Sequence, residues 1–236
     1  MFQRISANVG TAAAIAGVVA LTACNPAKRA QDPLSLVTFP NDPVLTELRK
    51  EPGVSISFCA IPGASLAEFQ TNVWRFGPYL PGSRKDVRVV AFTYQYTSWS
   101  GESSAIPKEQ LTQESVVDKV ELLLTTSMVF CIPERLADFS ERERRYFRDE
   151  FFPNVILHES RHAGIGFIAQ RHLARQVNAH LKGPLMPLTV RDLHNYGKAA
   201  VNSINTGNEA YDVESQHGKK EGAVLEPMTG IPDGNL

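Results

Sequence analysis

One pentapeptide constrains the fold of this chain more than any other feature, because its spacing is that of a helix. It consists of His158, Glu159, Ser160, Arg161 and His162, and it matches the pattern H-E-x-x-H. On an α-helix, positions i and i+4 share a face, so both imidazoles can reach one point in space. Apolar residues flank the pentapeptide, and a proline shortly before it suits the first turn of a helix. The sequence therefore predicts a buried helix with two histidines on one face.

Two imidazoles on one helical face indicate a metal site. Zn²⁺ commonly takes two histidines and one further protein ligand, with the fourth position left for water. The metal lowers the pKa of that water to about 7, and a neighbouring carboxylate can accept the proton. We therefore predict His158 and His162 as zinc ligands and Glu159 as the general base of a metallopeptidase. The alternative is a helix of core histidines that binds no metal.

The N-terminus has the features of a targeting segment. Residues 1–23 begin with a basic residue, Arg4, and contain an apolar run too short for a usual membrane-spanning helix. The run ends in Leu-Thr-Ala-Cys24, which resembles the bacterial lipobox, where the signal is cleaved before a cysteine that is then acylated. We predict a lipoprotein signal peptide at 1–23 and lipidation of Cys24. An ordinary secretory signal or an uncleaved anchor is the alternative.

The segment after the lipobox reads as a tether. Residues 24–43 contain four prolines and no hydrophobic periodicity, which is typical of an extended linker. Asn25 stands where enterobacterial lipoproteins retained in the inner membrane carry aspartate, and this favours an outer membrane location facing the periplasm. We therefore expect a protein of the bacterial cell envelope, held to the membrane by its lipid.

The remaining residues, 44–236, are predicted to form one α+β domain. The formal net charge of the whole chain is −1, and no basic stripe indicates nucleic acid as a partner. Alternating apolar residues predict strands at 54–59 and 86–97. A short helix is predicted between them, at 64–76, and a polar loop follows the second strand, at 98–106. The apolar run 116–132 is ambiguous, and we interpret it as a helix to about Leu124 followed by a strand.

The two other cysteines are expected in strands. With Cys24 acylated, Cys59 and Cys131 are the remaining thiols of the chain, and an exported protein favours a disulfide between them. Two separately buried thiols are the alternative. In either case, the metal ligands must come from histidine and carboxylate.

The sequence has no suitable residue at the positions where two known zinc peptidase classes carry their third ligand. A metzincin-like continuation requires glycine at 165 and histidine at 168, where this chain has Ile165 and Ile168. A thermolysin-like continuation requires a carboxylate, and there is none between Ala163 and Val190. His172 lies too far along the same helix to reach a metal bound by His158 and His162. His180 and His194 remain candidates for the third ligand.

The next polar cluster carries a family resemblance. Tyr211, Asp212, His217 and Gly218 follow the pattern Y-D-x-x-T-x-H-G, with Ser215 in place of threonine. H-E-x-x-H followed by this motif resembles a group of bacterial predicted secreted zinc-dependent proteases, long catalogued as a domain of unknown function. The resemblance covers roughly residues 130–225 and includes Glu221-Gly222-Ala223, which stands where the group has a Q-G-A-like run. It implies a secreted zinc peptidase.

The roles of the second motif follow from residue chemistry. His217 is the preferred third ligand, since it is neutral near pH 7 and precedes a glycine that lets the chain turn. Asp212 is the alternative, either as a direct ligand, as in aspzincin-like sites, or as an acceptor for an imidazole N–H. Tyr211 is expected to donate a hydrogen bond to the oxyanion, and Ser215 to orient the turn. The competing interpretation is a polar helix end.

These observations combine into two hypotheses. The first is a zincin-like α+β peptidase of the cell envelope, in which Zn²⁺ and Glu159 activate water against a peptide or protein substrate, cell-wall peptide included. The second is a non-catalytic envelope lipoprotein with a structural zinc site or a binding role. A closed four-ligand site would mark the second hypothesis, and an open site the first.

Overall fold

The computed structural model describes residues 42–81, 87–183 and 186–225. The predicted signal peptide, Cys24 and nearly all of the predicted tether lie outside these residues, and the last tether residue, Pro43, begins the first helix. The elements are α1 (Pro43–Leu48), β1 (Val54–Ile61), α2 (Leu66–Phe76), β2 (Ala91–Glu102), β3 (Lys119–Pro133), α3 (Glu141–Arg145), a π-helical segment (Tyr146–Phe151), α4 (Phe152–Lys182), α5 (Val190–Ser215) and a 3₁₀ turn (Lys219–Glu221). The described part of the chain is α+β, as predicted.

A small mixed sheet forms the N-terminal half of the described structure. Its order is β1-β3-β2, with β1 parallel and β2 antiparallel to the central strand β3. The prediction of a helix up to Leu124 was wrong, because β3 is a strand from Lys119 to Pro133. Burial alternates along the first part of β3, and near its end both faces are buried. A strand buried on both faces has apolar residues in succession, so the two-residue period could not be recognised in the sequence.

Strand β2 lies five residues later in the chain than its periodicity predicted, at Ala91–Glu102 and not at 86–97. The polar residues 98–102, expected in a loop, pair with β3 in register, Trp99 opposite Leu122 and Glu102 opposite Lys119. Pairing with the long central strand β3 stabilises an extended conformation that the local sequence of these residues does not favour. Trp99 packs so closely on α5 that a Cβ at Gly197 would lie 2.3 Å from its ring. Glycine at 197 is what allows the helix to approach the strand.

An aromatic core lies between the sheet and the first turns of α4. Phe130 of β3 meets Phe152 of α4 edge to face, and Phe147 stacks on Phe152 with centroids 5.5 Å apart. A capping box formed by Ser140 and Glu143 starts this helical run. The π-helical turn that follows brings residues five apart onto one face, which places Phe147 and Phe152 together in the core.

The two cysteines expected to pair lie directly opposite each other on β1 and β3. Cys59 and Cys131 are register partners, with Cα atoms 4.7 Å apart, and the structure joins them in a disulfide. Both are buried beside the aromatic core. The bridge therefore links two neighbouring strands inside the sheet. Among the described residues, no helix combines the length and the apolarity needed to cross a bilayer.

Candidate metal centre

Helix α4 places both histidines of the pentapeptide on one buried face. Pro153 stands in its first turn, as predicted, and His158 and His162 follow one turn apart. Their Nε2 atoms lie 3.2 Å from each other, and only 4% of His158 is exposed. The helix therefore aims both nitrogens at one point.

Helix α5 runs back along α4 and delivers a carboxylate to the same point. Oδ1 of Asp212 lies 3.1 Å from Nε2 of His162 and 3.6 Å from Nε2 of His158. For zinc with ligands at about 2.0–2.1 Å in tetrahedral geometry, neighbouring ligand atoms are separated by about 3.3 Å. The three atoms thus lie at separations that shared binding of one metal ion allows, and they are a group that could hold a metal.

The far side of each imidazole is held by an oxygen acceptor. Nδ1 of His158 lies 2.9 Å from Oε2 of Glu221, and Nδ1 of His162 lies 3.0 Å from Oδ1 of Asn208. A carboxylate or amide oxygen accepts a hydrogen bond, so each Nδ1 carries the proton and each Nε2 presents a lone pair. This is the tautomer that a metal ligand needs, and partners of this kind typically orient metal-binding histidines.

Three electron-rich atoms therefore converge in a place that is largely shielded from water. Such an arrangement is unfavourable unless a proton or a metal ion lies between them. Without a metal, burial lowers the pKa of His158 and His162, but the hydrogen bond to Asp212 and the charge of Glu159 outweigh it, so both pKa values are raised. Burial acts in the opposite sense on Asp212, and the two imidazoles outweigh it and lower the pKa of that carboxyl. The donor set suits a divalent ion such as Zn²⁺, and also Fe²⁺.

Glu159 lies on the face of α4 that meets the sheet. Its Oε2 accepts a hydrogen bond of 2.8 Å from the Thr93 hydroxyl on β2, whose oxygen is also 3.0 Å from the Glu159 main-chain carbonyl oxygen. The side chain is almost completely buried. Burial raises the pKa of this carboxyl, against the opposing effect of the two histidines. A carboxylate of raised basicity beside the histidine pair has the properties of a general base.

Tyr211 and Arg161 form a layer around the histidine pair. The Tyr211 ring lies 5.0 Å from the rings of both His158 and His162, and its hydroxyl donates a 2.7 Å hydrogen bond to Oε2 of Glu221. Arg161 forms an ion pair with the other oxygen of Glu221. Burial and the hydrogen bond to Glu221 raise the pKa of Tyr211, so the phenol stays protonated at neutral pH. Glu221 is thus the common acceptor of three side chains.

The chain reaches Glu221 through a tight turn after α5. Gln216, His217 and Gly218 adopt left-handed backbone conformations, with φ values of 53°, 55° and 80°. The Ser215 hydroxyl accepts a hydrogen bond from the Gly218 N–H, as expected for a residue that orients the turn. A Cβ at Gly218 would lie 3.3 Å from Nδ1 of His158. Glycine at 218 therefore lets the turn fold back over the imidazole.

The structure brings together most of the predicted site, with one rearrangement. Asp212, the alternative third ligand, joins the histidine pair, whereas His217, the preferred one, is not part of this group. His217 lies beyond the last turn of α5, and its N–H bonds to the carbonyl oxygen of Asp212. His180 and His194 lie elsewhere: the first contacts Met186 and Tyr196, and the second packs on Trp99.

Three contributors were missed by sequence reasoning. Asn208 has a recognisable signal, because it precedes Asp212 by one helical turn and shares its face. Glu221 belongs to the short run 221–223 that follows the second motif, but only the turn shows that it reaches His158. Thr93 has no local signal, since it is one of many alternating residues in a strand.

The chain belongs to a recognised protein family. The family model described as a bacterial protein of unknown function (DUF922) matches residues 56–218, more than half of the chain. The match begins within β1 and includes the rest of the sheet, the pentapeptide and the second motif as far as Gly218. No curated relative and no solved structure matches the chain.

Proposed function

We propose that this protein is a zinc-dependent hydrolase of peptide bonds with a zincin-like catalytic domain, in which His158, His162 and Asp212 hold the metal. The observation that carries the proposal is the triangle of the two Nε2 atoms and Oδ1 of Asp212, with sides of 3.1, 3.2 and 3.6 Å. Three protein ligands are the number typical of catalytic zinc, whereas structural zinc usually takes four.

The chain's own residues supply the proton chemistry. Bound zinc would polarise the scissile carbonyl and acidify water. Glu159 accepts a proton from the attacking water at its carboxylate and passes it to the leaving nitrogen. The Thr93 hydroxyl at 2.8 Å fixes the rotamer of Glu159, and burial keeps the carboxylate basic enough for this task. Removal of a general base typically lowers the rate by about 10²–10⁴.

Tyr211 keeps its proposed role as a donor to the oxyanion, under one condition. Its pKa is raised, so the hydroxyl carries its hydrogen at neutral pH. In the structure that hydrogen is directed to Glu221. Donation to a substrate oxygen therefore requires the hydroxyl to turn away from the carboxylate, and until then Tyr211 acts by holding Glu221 against His158.

The test separates catalysis from metal binding. We expect Glu159→Gln to retain zinc and folding and to lose hydrolysis of a fluorescein-labelled protein substrate by about 10²–10⁴. His162→Ala should lose both the metal and the activity. Glu150→Gln, an exposed glutamate close to the start of α4, is the matched control and should behave as the parent protein.

Metal content by plasma mass spectrometry is the second measurement. Iron in place of zinc in the purified protein would contradict the proposal, and so would full activity of Glu159→Gln. Zinc binding without hydrolysis of any peptide or protein would instead favour the non-catalytic envelope lipoprotein.

The proposed location is the bacterial cell envelope. It rests on the lipobox-like Leu21–Cys24 segment, which directs the protein to a membrane through a lipid on Cys24, with the outer membrane facing the periplasm preferred. Cell-wall peptide is one substrate available there. Mass spectrometry of the mature N-terminus checks the anchor: we expect an acylated Cys24, and Cys24→Ser should release or misprocess the protein.

A further inference from the structure

Two polar side chains of strand β2 contact the main chain of α4, the helix that carries the histidine pair. The Thr93 hydroxyl oxygen lies 3.0 Å from the carbonyl oxygen of Glu159, and Nε2 of Gln95 donates a 3.2 Å hydrogen bond to the carbonyl oxygen of Ala163. Two strand residues advance about 6.6 Å, and four helical residues advance about 6 Å. Because these repeats nearly match, β2 can follow the axis of α4 with one polar contact for each helical turn.

Gly166 provides the space in which the Gln95 side chain lies. A Cβ built at Gly166 would lie 2.5 Å from Cδ of Gln95 and nearer still to Nε2, which is too close for two packed side chains. A Cβ built at Gly164, two residues earlier, would meet no atom of the other described residues within 4 Å. Glycine is unfavourable inside a helix relative to alanine. At position 166 the approach of Gln95 accounts for the glycine.

The hydrogen bond to Ala163 is the contact that orients the Gln95 amide. The amide oxygen, Oε1, is enclosed and has no hydrogen-bond partner in the part of the chain that the structure describes. The same is true of the hydroxyl oxygen of Thr126, the residue opposite Gln95 on β3. A change of the Gln95 side chain therefore removes one described hydrogen bond to α4 and leaves the strand pairing intact.

The proposed general base and the proposed metal ligands are held by different elements. Among the described residues, the polar side chains that contact His158 and His162 come from α4, α5 and the turn after α5. The Glu159 carboxylate instead accepts its hydrogen bond from Thr93 on β2. A change in the spacing between β2 and α4 would therefore move Thr93 relative to Glu159 and leave the three ligand atoms in place.

We propose that Gln95 is a positioning residue for the general base. With its side chain over Gly166 and its amide bonded to Ala163, it holds β2 at the distance from α4 at which the Thr93 hydroxyl reaches the Glu159 carboxylate. The inference deepens the proposed function and rests on it for the role of Glu159. It predicts that loosening the contact between strand and helix lowers turnover without weakening metal binding.

The experiment compares two glycine substitutions on the same helix, Gly166→Ala and Gly164→Ala. Each zinc-loaded protein is assayed for kcat and KM on fluorescein-labelled casein, and zinc affinity is measured by competition with a fluorescent chelator. We expect Gly166→Ala to lower kcat about 10–100-fold, because a displacement near 1 Å can cost about 10²-fold, and to leave KM and zinc affinity unchanged. Gly164→Ala, the matched control, should keep the parent kcat and melt about 2–4 °C higher.

A second set of variants tests the contact without catalysis. In the parent chain, Gly166→Ala should lower the melting temperature, because the new methyl group displaces Gln95. In a Gln95→Ala background the same substitution meets no long side chain and should raise the melting temperature, as Gly164→Ala does. Gln95→Met keeps the length of the side chain but cannot donate a hydrogen bond. It should lower kcat and retain zinc affinity, and it carries the kinetic test if Gly166→Ala does not fold.

The alternative outcomes separate this inference from the proposed function. Parent kcat in Gly166→Ala or in Gln95→Met would contradict the inference, and an equal loss of zinc affinity would mean that the contact is structural only. Equal shifts of the melting temperature in both backgrounds would show that Gln95 does not occupy the space over Gly166. If the parent protein hydrolyses no peptide or protein, the proposed function fails and the role of Gln95 in catalysis fails with it. If the parent is active and the kcat loss or the reversal is missing, the inference fails alone.

Discussion

The two faces of α4 show how differently its residues contribute to stability and to chemistry. One face meets the sheet through Phe152, Val155 and Ile156, which are almost completely buried among other apolar side chains. The other face directs His158 and His162 at Asp212, where three electron-rich atoms meet. Burial stabilises the first set and disfavours the second unless a cation is present. We therefore expect the scaffold to fold without metal, whereas the convergence of the three ligand atoms depends on a bound proton or metal ion.

The largest expected effect on stability concerns the sheet. Reduction of the Cys59–Cys131 bridge, which spans a sequence separation of 72, should lower the free energy of unfolding by roughly 4 kcal/mol in the chain-entropy model, less any strain. Urea unfolding of metal-free protein with and without reductant measures this. In a Cys24→Ser variant, alkylation of denatured, unreduced protein should find no free thiol, and two labelled cysteines would refute the bridge.

The next effect distinguishes the two candidate third ligands. Asp212→Asn should weaken zinc binding by more than about 100-fold, the upper range for loss of an outer partner, because it removes a ligand charge. His217→Ala should leave the affinity nearly unchanged, since His217 is not in the group of converging ligand atoms formed by His158, His162 and Asp212. Competition with a fluorescent zinc chelator measures both. A larger loss in His217→Ala would restore the assignment made from sequence.

A smaller effect is expected for the groups that orient the imidazoles. Glu221→Gln and Asn208→Ala should each weaken zinc binding about 10–100-fold, because they release Nδ1 of His158 and of His162. Glu214→Gln, an exposed carboxylate in the last turn of α5, is the control. If Glu221→Gln binds zinc as tightly as the control, Glu221 has no part in holding the site.

The smallest effect is a pH dependence of the metal-free protein. Burial opposes protonation of His158 and His162, but Asp212 and Glu159 outweigh it and raise both pKa values above the ordinary 6.5. A raised histidine pKa contributes stability that is fully present below pH 6.5 and is lost as the pH rises through the folded-state pKa. The lowered pKa of Asp212 contributes stability that is fully present above pH 3.8, the ordinary pKa of aspartate. This stability is lost as the pH falls through the folded-state pKa.

Metal-free protein should therefore lose stability as the pH rises above about 6.5, and the raised pKa of Glu159 acts in the same direction from its ordinary 4.5 upward. Its melting temperature should fall toward pH 8 by about 2–4 °C for each kcal/mol lost. With zinc the trend should reverse, because the metal requires deprotonated imidazoles. Thermal unfolding across this range measures both curves. A metal-free protein whose melting temperature rises from pH 6 to pH 8 would show that the histidines are not paired with Asp212.

Sequence reasoning was most successful where the signal was local. The i and i+4 histidines predicted α4, and Pro153 lies in the first turn of that helix, as the sequence indicated. It failed where two periods compete, as in residues 119–124, which belong to strand β3 because they pair with the second half of β2. The choice between His217 and Asp212 also needed structure, since residue type favoured the histidine and only the end of α5 shows which side chain faces α4.

The chemical groups of the site could be identified from the sequence: two histidines and a glutamate on one helix, and a second polar motif later in the chain. Which of their atoms meet depends on how the helices and the sheet pack. Asp212, Glu221 and Thr93 reach the histidine helix through α5, the turn after it and strand β2. The physical reason is that helical spacing is set by neighbouring residues, whereas contacts between elements depend on the packing of the whole core.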